Sequence, residues 1–228
     1  IQDRDPAKPN YGEVAEHPER VDVNGEQVRE ILDEEEVADL AELGYIGDED
    51  EDDGADEDGE LPAQPGRPGF QGADWMHTNS IDYHPELDQI LLSVRSFNEV
   101  WIIDHATTTA EAAGPRGDLL YRWGNPQTWQ AGSEADRRLY VQHDASWIEP
   151  GAPGAGNILV FNNGMGRSSG AWSSVDEIAP PVDEDGRYLR GEGAFLPRRA
   201  AWSYRAQDKG SFYSGHISGA QRLPNGNT

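Results

Sequence analysis

The feature of this sequence that most limits its fold is a unit that recurs along the chain. The units open at His77, His143 and His216, and a Gly, Pro or Asn turn follows each histidine, near 85–88, 150–157 and 224–227. The repeat is about 70 residues long, which is room for about four strands and a loop and is typical of a propeller blade. We therefore predict an all-β fold, a β-propeller of which about three blade units are present and the third is incomplete.

Short apolar runs separated by turns fill the space between these histidines. Runs rich in β-branched, aliphatic or aromatic residues predict strands at 89–94, 99–103, 157–161 and 201–204. After position 73 no long helical period is present, and 109–113 has room for one helical turn only. Because blades stack around an axis, residues at one phase of successive blades form a ring, so the three histidines are expected to face one central pocket.

Positions 1–71 differ in composition from the rest of the chain. Residues 33–60 hold sixteen Asp or Glu and no Lys or Arg, and the rest of the chain carries a net charge of only −9. Such a run buries too little apolar surface to offset the entropy of ordering it. We predict that 1–71 is an acidic, largely flexible segment with one short helix near 25–43, where apolar residues recur at helical spacing, and that 72–228 is a partial propeller domain truncated at its C-terminus.

Charge and composition exclude several classes of function. The formal net charge of −25 argues against a nucleic-acid partner, because phosphate binding needs the opposite sign of charge. The absence of cysteine removes disulfides, thiolate metal sites and thiol nucleophiles. No apolar run approaches the length of a membrane-spanning helix, so we expect no membrane span.

Blocks of sequence in the body carry a family resemblance. They lie at 74–81, 92–95, 98–105, 120–126, 142–145, 161–164 and 218–228. In this order, with the histidines in phase, they resemble the bacterial PAPS-independent arylsulfotransferases, which are built as six-bladed propellers. The resemblance covers about positions 72–228, and positions 1–71 add nothing to it.

The resemblance implies transfer of a sulfuryl group from an aryl sulfate to a phenol through a sulfated histidine, with no metal and no cofactor. It makes His77 and His143 the histidines that hold the sulfate oxygens and His216 the candidate nucleophile. Arg167 matches the arginine of such sites, with Arg95 as the alternative. Arg95 and Asn163 are expected to contact the substrate. A periplasmic or secreted location follows from the resemblance alone, and a homodimer is left open.

Sulfuryl transfer through a histidine is chemically reasonable even without the resemblance, but two other functions remain open. A neutral imidazole attacks a sulfate ester readily, and cationic groups stabilise the charge on the transferring oxygens. Three converging histidines would also suit a metal-dependent propeller enzyme with an open coordination position. The second alternative is a non-catalytic propeller that serves as an interaction module. Three units do not close a ring, so we expect this chain on its own to be inactive.

Overall fold

A computed structural model describes residues 76–228 of the chain. The predicted helix at 25–43, the acidic segment and the domain boundary at position 72 lie outside the described residues and stay predictions. No helix within 76–228 has the length and apolar character to cross a bilayer.

The first half of the described chain forms one four-stranded antiparallel sheet. Its strands lie in chain order, each paired with the next: β1 (Thr78–His84), β2 (Gln89–Val94), β3 (Glu99–Asp104) and β4 (Tyr121–Trp123). A single helical turn, α1 (Thr109–Ala112), follows β3 and begins at a capping box formed by Thr108 and Glu111.

The second half repeats this arrangement. Its strands are β5 (His143–Trp147), β6 (Ile158–Asn162), β7 (Ser174–Ile178) and β8 (Trp202–Tyr204), again antiparallel and in chain order. Short 3-10 turns lie at Arg95–Phe97, Pro115–Gly117, Pro126–Trp129, Glu134–Asp136 and Lys209–Phe212. Two consecutive four-stranded antiparallel sheets confirm the all-β prediction, while the propeller and its blade number stay predictions.

The two sheets share one apolar core. Strands of the first sheet contribute Leu91, Val100, Ile102 and Tyr121, and strands of the second contribute Trp147, Ile158, Val160 and Ile178. All of these side chains are less than a tenth exposed. Burial of each large side chain contributes about 1.5–3 kcal/mol, so this shared core fixes the position of one sheet against the other.

Side chains of β1 also attach the first strands of the two sheets to each other. Asn79 Nδ2 donates to the Gln142 carbonyl oxygen at 2.8 Å, Ser80 Oγ accepts from the Ala145 N–H at 2.8 Å, and Asp82 Oδ2 accepts from the Trp147 N–H at 2.7 Å. Each of these bonds ends on a backbone atom of the second unit. This seam brings the two histidine-bearing strands side by side.

The third predicted unit differs from the first two, because residues 213–228 form no strand in the described structure. An antiparallel strand needs a partner for its backbone hydrogen bonds, and no described segment pairs with this stretch. Side chains of the second sheet hold it instead. Asp144 Oδ2 accepts from the Ala220 N–H at 3.0 Å, and Arg222 forms a nearly buried ion pair with Glu177 at 2.7 Å.

Candidate active site

Two predicted histidines stand at matching places in the two sheets. His77 immediately precedes β1, and His143 is the first residue of β5. The pairing register of each strand shifts directly after its histidine, which marks a β-bulge. His77 and Asp144, the residue after His143, have left-handed φ values of 45° and 53°. Bulges of this kind redirect side chains and are common beside active sites.

The ring of His143 is held in a single orientation. His143 is only 5% exposed, and its Nδ1 lies 2.8 Å from Asn163 Oδ1 and 3.1 Å from the Val141 carbonyl oxygen. Both neighbours are hydrogen-bond acceptors, so Nδ1 carries the proton and donates it to them. In the neutral ring the lone pair then belongs to Nε2, the nitrogen that reacts as a base or a nucleophile.

The environment keeps this imidazole neutral at physiological pH. Burial lowers the pKa of His143 to about 4, and the charges of Arg95 and His77 act in the same direction. The hydrogen bond with Asn163 opposes the decrease. Because the folded-state pKa lies well below 7, His143 Nε2 remains unprotonated at neutral pH.

Asn163 connects His143 to the segment that carries His216. Its Nδ2 donates to the carbonyl oxygens of Ser214 and Ile217 at 2.9 and 2.8 Å, which fixes Oδ1 toward His143. Gly164 follows with φ 82°, and a Cβ at that position would clash with the Trp172 carbonyl oxygen, so only glycine permits this turn. The side-chain amide of Asn163 therefore uses its oxygen to bond the His143 ring and its nitrogen to bond the backbone of 214–217.

His216 lies on the segment that Asn163 holds. Its carbonyl oxygen accepts from Ser214 Oγ at 2.8 Å, and the residue is half-buried. The two residues that follow, Ile217 and Ser218, have φ values of 53° and 76°. The left-handed backbone at or just after the histidine is thus common to all three units, including the one without a strand.

Arg95 is the arginine whose charge acts on the His143 ring. It follows β2 directly, as Asn163 follows β6, and it is 3% exposed. Its backbone N–H donates to the His77 carbonyl oxygen at 3.2 Å, and the charge of its guanidinium acts on the His143 ring. The structure thus places the alternative arginine of the sequence analysis next to both histidines.

Arg167, the preferred arginine of the sequence analysis, has other neighbours. Its guanidinium lies over the Trp172 ring at 4.0 Å, and its Nη2 donates to Ser174 Oγ at 3.1 Å. It also lies 5.0 Å from the centroid of the Tyr140 ring. These contacts connect it to the start of β7 and its flanking loops, and within residues 76–228 it contacts neither His77 nor His143.

Two residues of the site were not predicted. Gln142 is fully buried, and its Nε2 donates to the Glu99 carbonyl oxygen at 2.8 Å, which anchors the residue before His143 to β3. Asn79 holds the Gln142 carbonyl oxygen from β1. Amide side chains close to a repeated histidine in the sequence were the available signal, but their partners depend on how the sheets pack.

The described residues offer no ready metal centre. Within 76–228, no group of three His, Asp or Glu side chains is arranged to hold an ion. What the structure brings together is a neutral imidazole, a second histidine, a buried guanidinium and the segment of a third histidine. That set can attack an electrophile and stabilise negative charge on its oxygens.

Comparison with known proteins agrees with this chemistry. A model of the arylsulfotransferase (ASST) family matches residues 9–181, which include His77, Arg95, His143, Asn163 and Arg167. The match begins at position 9, so the expectation that 1–71 adds nothing to the resemblance was wrong. His216 lies beyond the matched residues, and no curated protein matches the chain. Because the family model matches well over half of the sequence, the chain belongs to the arylsulfotransferase family.

Proposed function

We propose that this protein transfers a sulfuryl group from an aryl sulfate to a phenolic acceptor through a covalent sulfohistidine. The family supports arylsulfotransferase activity in general, with aryl sulfate and phenol as substrates. The observation that carries the covalent step is the His143 ring, which is neutral and donates from Nδ1, so that Nε2 bears the lone pair.

The first half-reaction forms the intermediate. The Nε2 lone pair attacks sulfur, the sulfur–oxygen bond to the aryl group breaks, and the phenolate leaves with the bonding electrons. The ring becomes an N-sulfoimidazolium whose Nδ1–H still donates to Asn163 and the Val141 carbonyl. These two oxygens stabilise the positive charge that develops on the ring.

The second half-reaction reverses the roles. The oxygen of the acceptor phenol attacks sulfur, the sulfur–nitrogen bond breaks, and the electron pair returns to Nε2. The phenolic proton passes to a base, for which His77 is our candidate because it is the other histidine beside the His143 ring. Arg95 supplies a buried positive charge for the sulfuryl oxygens in both steps.

Two histidines compete for the nucleophilic role. The resemblance favoured His216 as nucleophile and gave His143 a binding role. The described geometry favours His143, because burial and the Asn163 hydrogen bond together give its Nε2 the protonation state that the attack needs. His216 stays the alternative.

Covalent labelling distinguishes the two. The full-length protein is incubated with an aryl sulfate labelled on sulfur, quenched, and digested, and the labelled peptide is identified by mass spectrometry. We expect the label on His143 and its complete loss in His143→Ala. His77→Ala and His216→Ala should label more slowly but still label.

His105→Ala is the matched control, because His105 is exposed and pairs with Asp88 at the end of the first sheet opposite to the one that His77 precedes. It should label like the unmodified protein. A labelled peptide that contains His216, with loss of label in His216→Ala, would transfer the nucleophilic role to that residue. Full turnover with no labelled histidine in any sample would reject the covalent mechanism.

A further inference from the structure

A second cavity lies at the same end of the second sheet as His143. His143 pairs with Phe161 near the end of β6, and Ser174 at the start of β7 pairs with Asn162. Tyr204 at the end of β8 pairs with Val175, so these residues lie at the same end of the sheet. The cavity has a volume of about 550 Å³ and lies toward the outer strand. Its wall includes Arg138, Arg167, Arg199, Arg205 and Trp172. This size suits a small aromatic ligand.

The charge of this cavity is unusual for such an acidic protein. The chain has 43 acidic and 18 basic residues, and several other arginines pair with carboxylates, as Arg122 does with Glu99 and Arg222 with Glu177. Within residues 76–228, none of the four cavity arginines forms an ion pair with a carboxylate. No direct ion pair therefore cancels their positive charges, although Arg138 and Arg167 also donate hydrogen bonds to protein oxygens.

The one carboxylate in the cavity wall, Asp176, offsets only part of this positive charge. Asp176 accepts hydrogen bonds from Asn162 Nδ2 at 2.8 Å, Ser174 Oγ at 3.1 Å and Ser203 Oγ at 2.5 Å. Its oxygens are thus engaged by neutral groups of the second sheet. Four guanidinium groups face a single carboxylate, so the wall has an excess of positive charge.

An aromatic ring lies at the centre of these cations. Trp172 has the Arg167 guanidinium 4.0 Å from its ring centroid, Arg205 at 5.7 Å and the Lys209 ammonium at 4.8 Å. Burial lowers the pKa of Arg167, the charge of Asp176 opposes this decrease, and the charges of Arg137 and Arg205 lower the pKa further. Crowding of like charges is unfavourable, and a bound anion would relieve it.

We propose that this cavity is a second, non-reacting site that binds an aryl sulfate through its oxyanion. The choice of ligand rests on the proposed function, whereas the presence of an anion site rests on arginines that pair with no carboxylate within 76–228. Planar guanidinium groups donate two parallel hydrogen bonds to an oxyanion, and Trp172 provides an aromatic wall for the aryl group. Such a site concentrates an anionic substrate near the histidines of a protein whose net charge repels it.

Equilibrium binding without turnover tests the proposal. Binding of 4-nitrophenyl sulfate to full-length His143→Ala protein is measured by calorimetry at low salt, with and without Arg199→Gln and Arg205→Gln. Both arginines are exposed, so their replacement should not affect folding. We expect the double change to weaken this binding about tenfold for each lost charge-assisted hydrogen bond, and added salt to weaken it as well.

The matched control replaces Arg116 and Arg187, which are exposed and pair with carboxylates elsewhere. Equal affinity in the control and in the Arg199/Arg205 variant would overturn the proposal. Inorganic sulfate bound as tightly as 4-nitrophenyl sulfate would overturn the assignment to an aryl sulfate. Binding that appears only after deletion of residues 47–60 would overturn it too, because the cavity would then serve the acidic segment of the chain itself.

These outcomes are independent of the labelling experiment. A protein that labels His143 but fails the binding test has the proposed function without the second site. A protein that binds the probe at the arginines but labels no histidine has the anion site without the covalent mechanism.

Discussion

Arg95 and Asn163 occupy the same position in the two sheets, directly after the second strand, yet they do different chemistry. Arg95 brings a buried positive charge to His143, and its backbone N–H bonds the His77 carbonyl oxygen. Asn163 brings an amide that fixes the His143 ring and the segment of His216. A repeated fold thus supplies a charge from one unit and an orienting hydrogen bond from the next.

The third strands of the two sheets show a parallel contrast. In the first sheet Glu99 accepts from Arg122 Nε and Nη2 at 2.7 and 2.8 Å, and both side chains are completely buried. Burial raises the pKa of Glu99, and the charge of Arg122 opposes this rise. In the second sheet Asp176 is held by Ser203 and Asn162, which are neutral. Glu99 is thus held by a charged partner and Asp176 by neutral donors, although β7 also carries an ion pair, between Glu177 and Arg222.

Removal of the charged partner should have the largest effect. Arg122→Ala leaves Glu99 buried without its counter-charge and should cost about 3–5 kcal/mol in the free energy of unfolding. Ser203→Ala removes one neutral hydrogen bond and should cost about 1 kcal/mol. Urea denaturation followed by circular dichroism measures both losses. Similar losses for the two variants would remove the contrast between the sheets.

The next largest effect should separate Arg95 from Asn163. Arg95→Ala removes a cationic group from the transferring oxygens and should lower kcat/KM for an aryl sulfate about 10²–10³-fold. Arg95→Lys should recover only part of the loss, since a point charge replaces a planar fork. Asn163→Ala should cause a smaller loss, and Arg116→Ala none. If Arg167→Ala lowers kcat/KM and Arg95→Ala does not, the arginine assignment of the resemblance is restored.

The smallest expected effect comes from Asn163→Asp, which replaces only the amide NH2 group by an oxygen. Asn163→Asp places a negative charge beside His143 Nδ1, which favours the imidazolium and should raise the pKa of His143 above its value of about 4. The rate of labelling should then decrease as the pH falls from neutral to mildly acidic, where the unmodified protein still labels fully. Single-turnover reactions over this pH range measure the effect. An unchanged profile would mean that Asn163 does not control the protonation of His143.

Local features of the fold could be predicted from the sequence. Apolar content predicted β2 at 89–94 without error and placed β3, β6 and β8 within one residue, because short buried strands favour β-branched and aromatic side chains. The phase of the histidines placed His77 and His143 at the first strand of each sheet. The unit that opens at His216 has no strand in the described structure, and the N–H groups of Ser214 and Ala220 bond side chains of the second unit.

The arrangement of the site could not be predicted in the same way. The contact between Asn163 and His143 depends on a glycine turn and on the packing of 214–217, which is distant from Asn163 in the sequence. The proximity of Arg95 to His143 depends on the seam between the sheets. Composition carries no information about such long-range register, and the preference for Arg167 came from the family resemblance.

The seam between the first strands has a consequence for how such a protein changes over time. The side chains of this seam, those of Asn79, Ser80 and Asp82, form hydrogen bonds with backbone atoms of the second unit and with none of its side chains. Substitutions at 144 and 146 should therefore leave the hydrogen bonds of the seam intact, provided that the backbone conformation does not change. The seam thus constrains the backbone path of the second unit more than its side chains, and the two units carry different groups at one shared position, the guanidinium of Arg95 and the amide of Asn163.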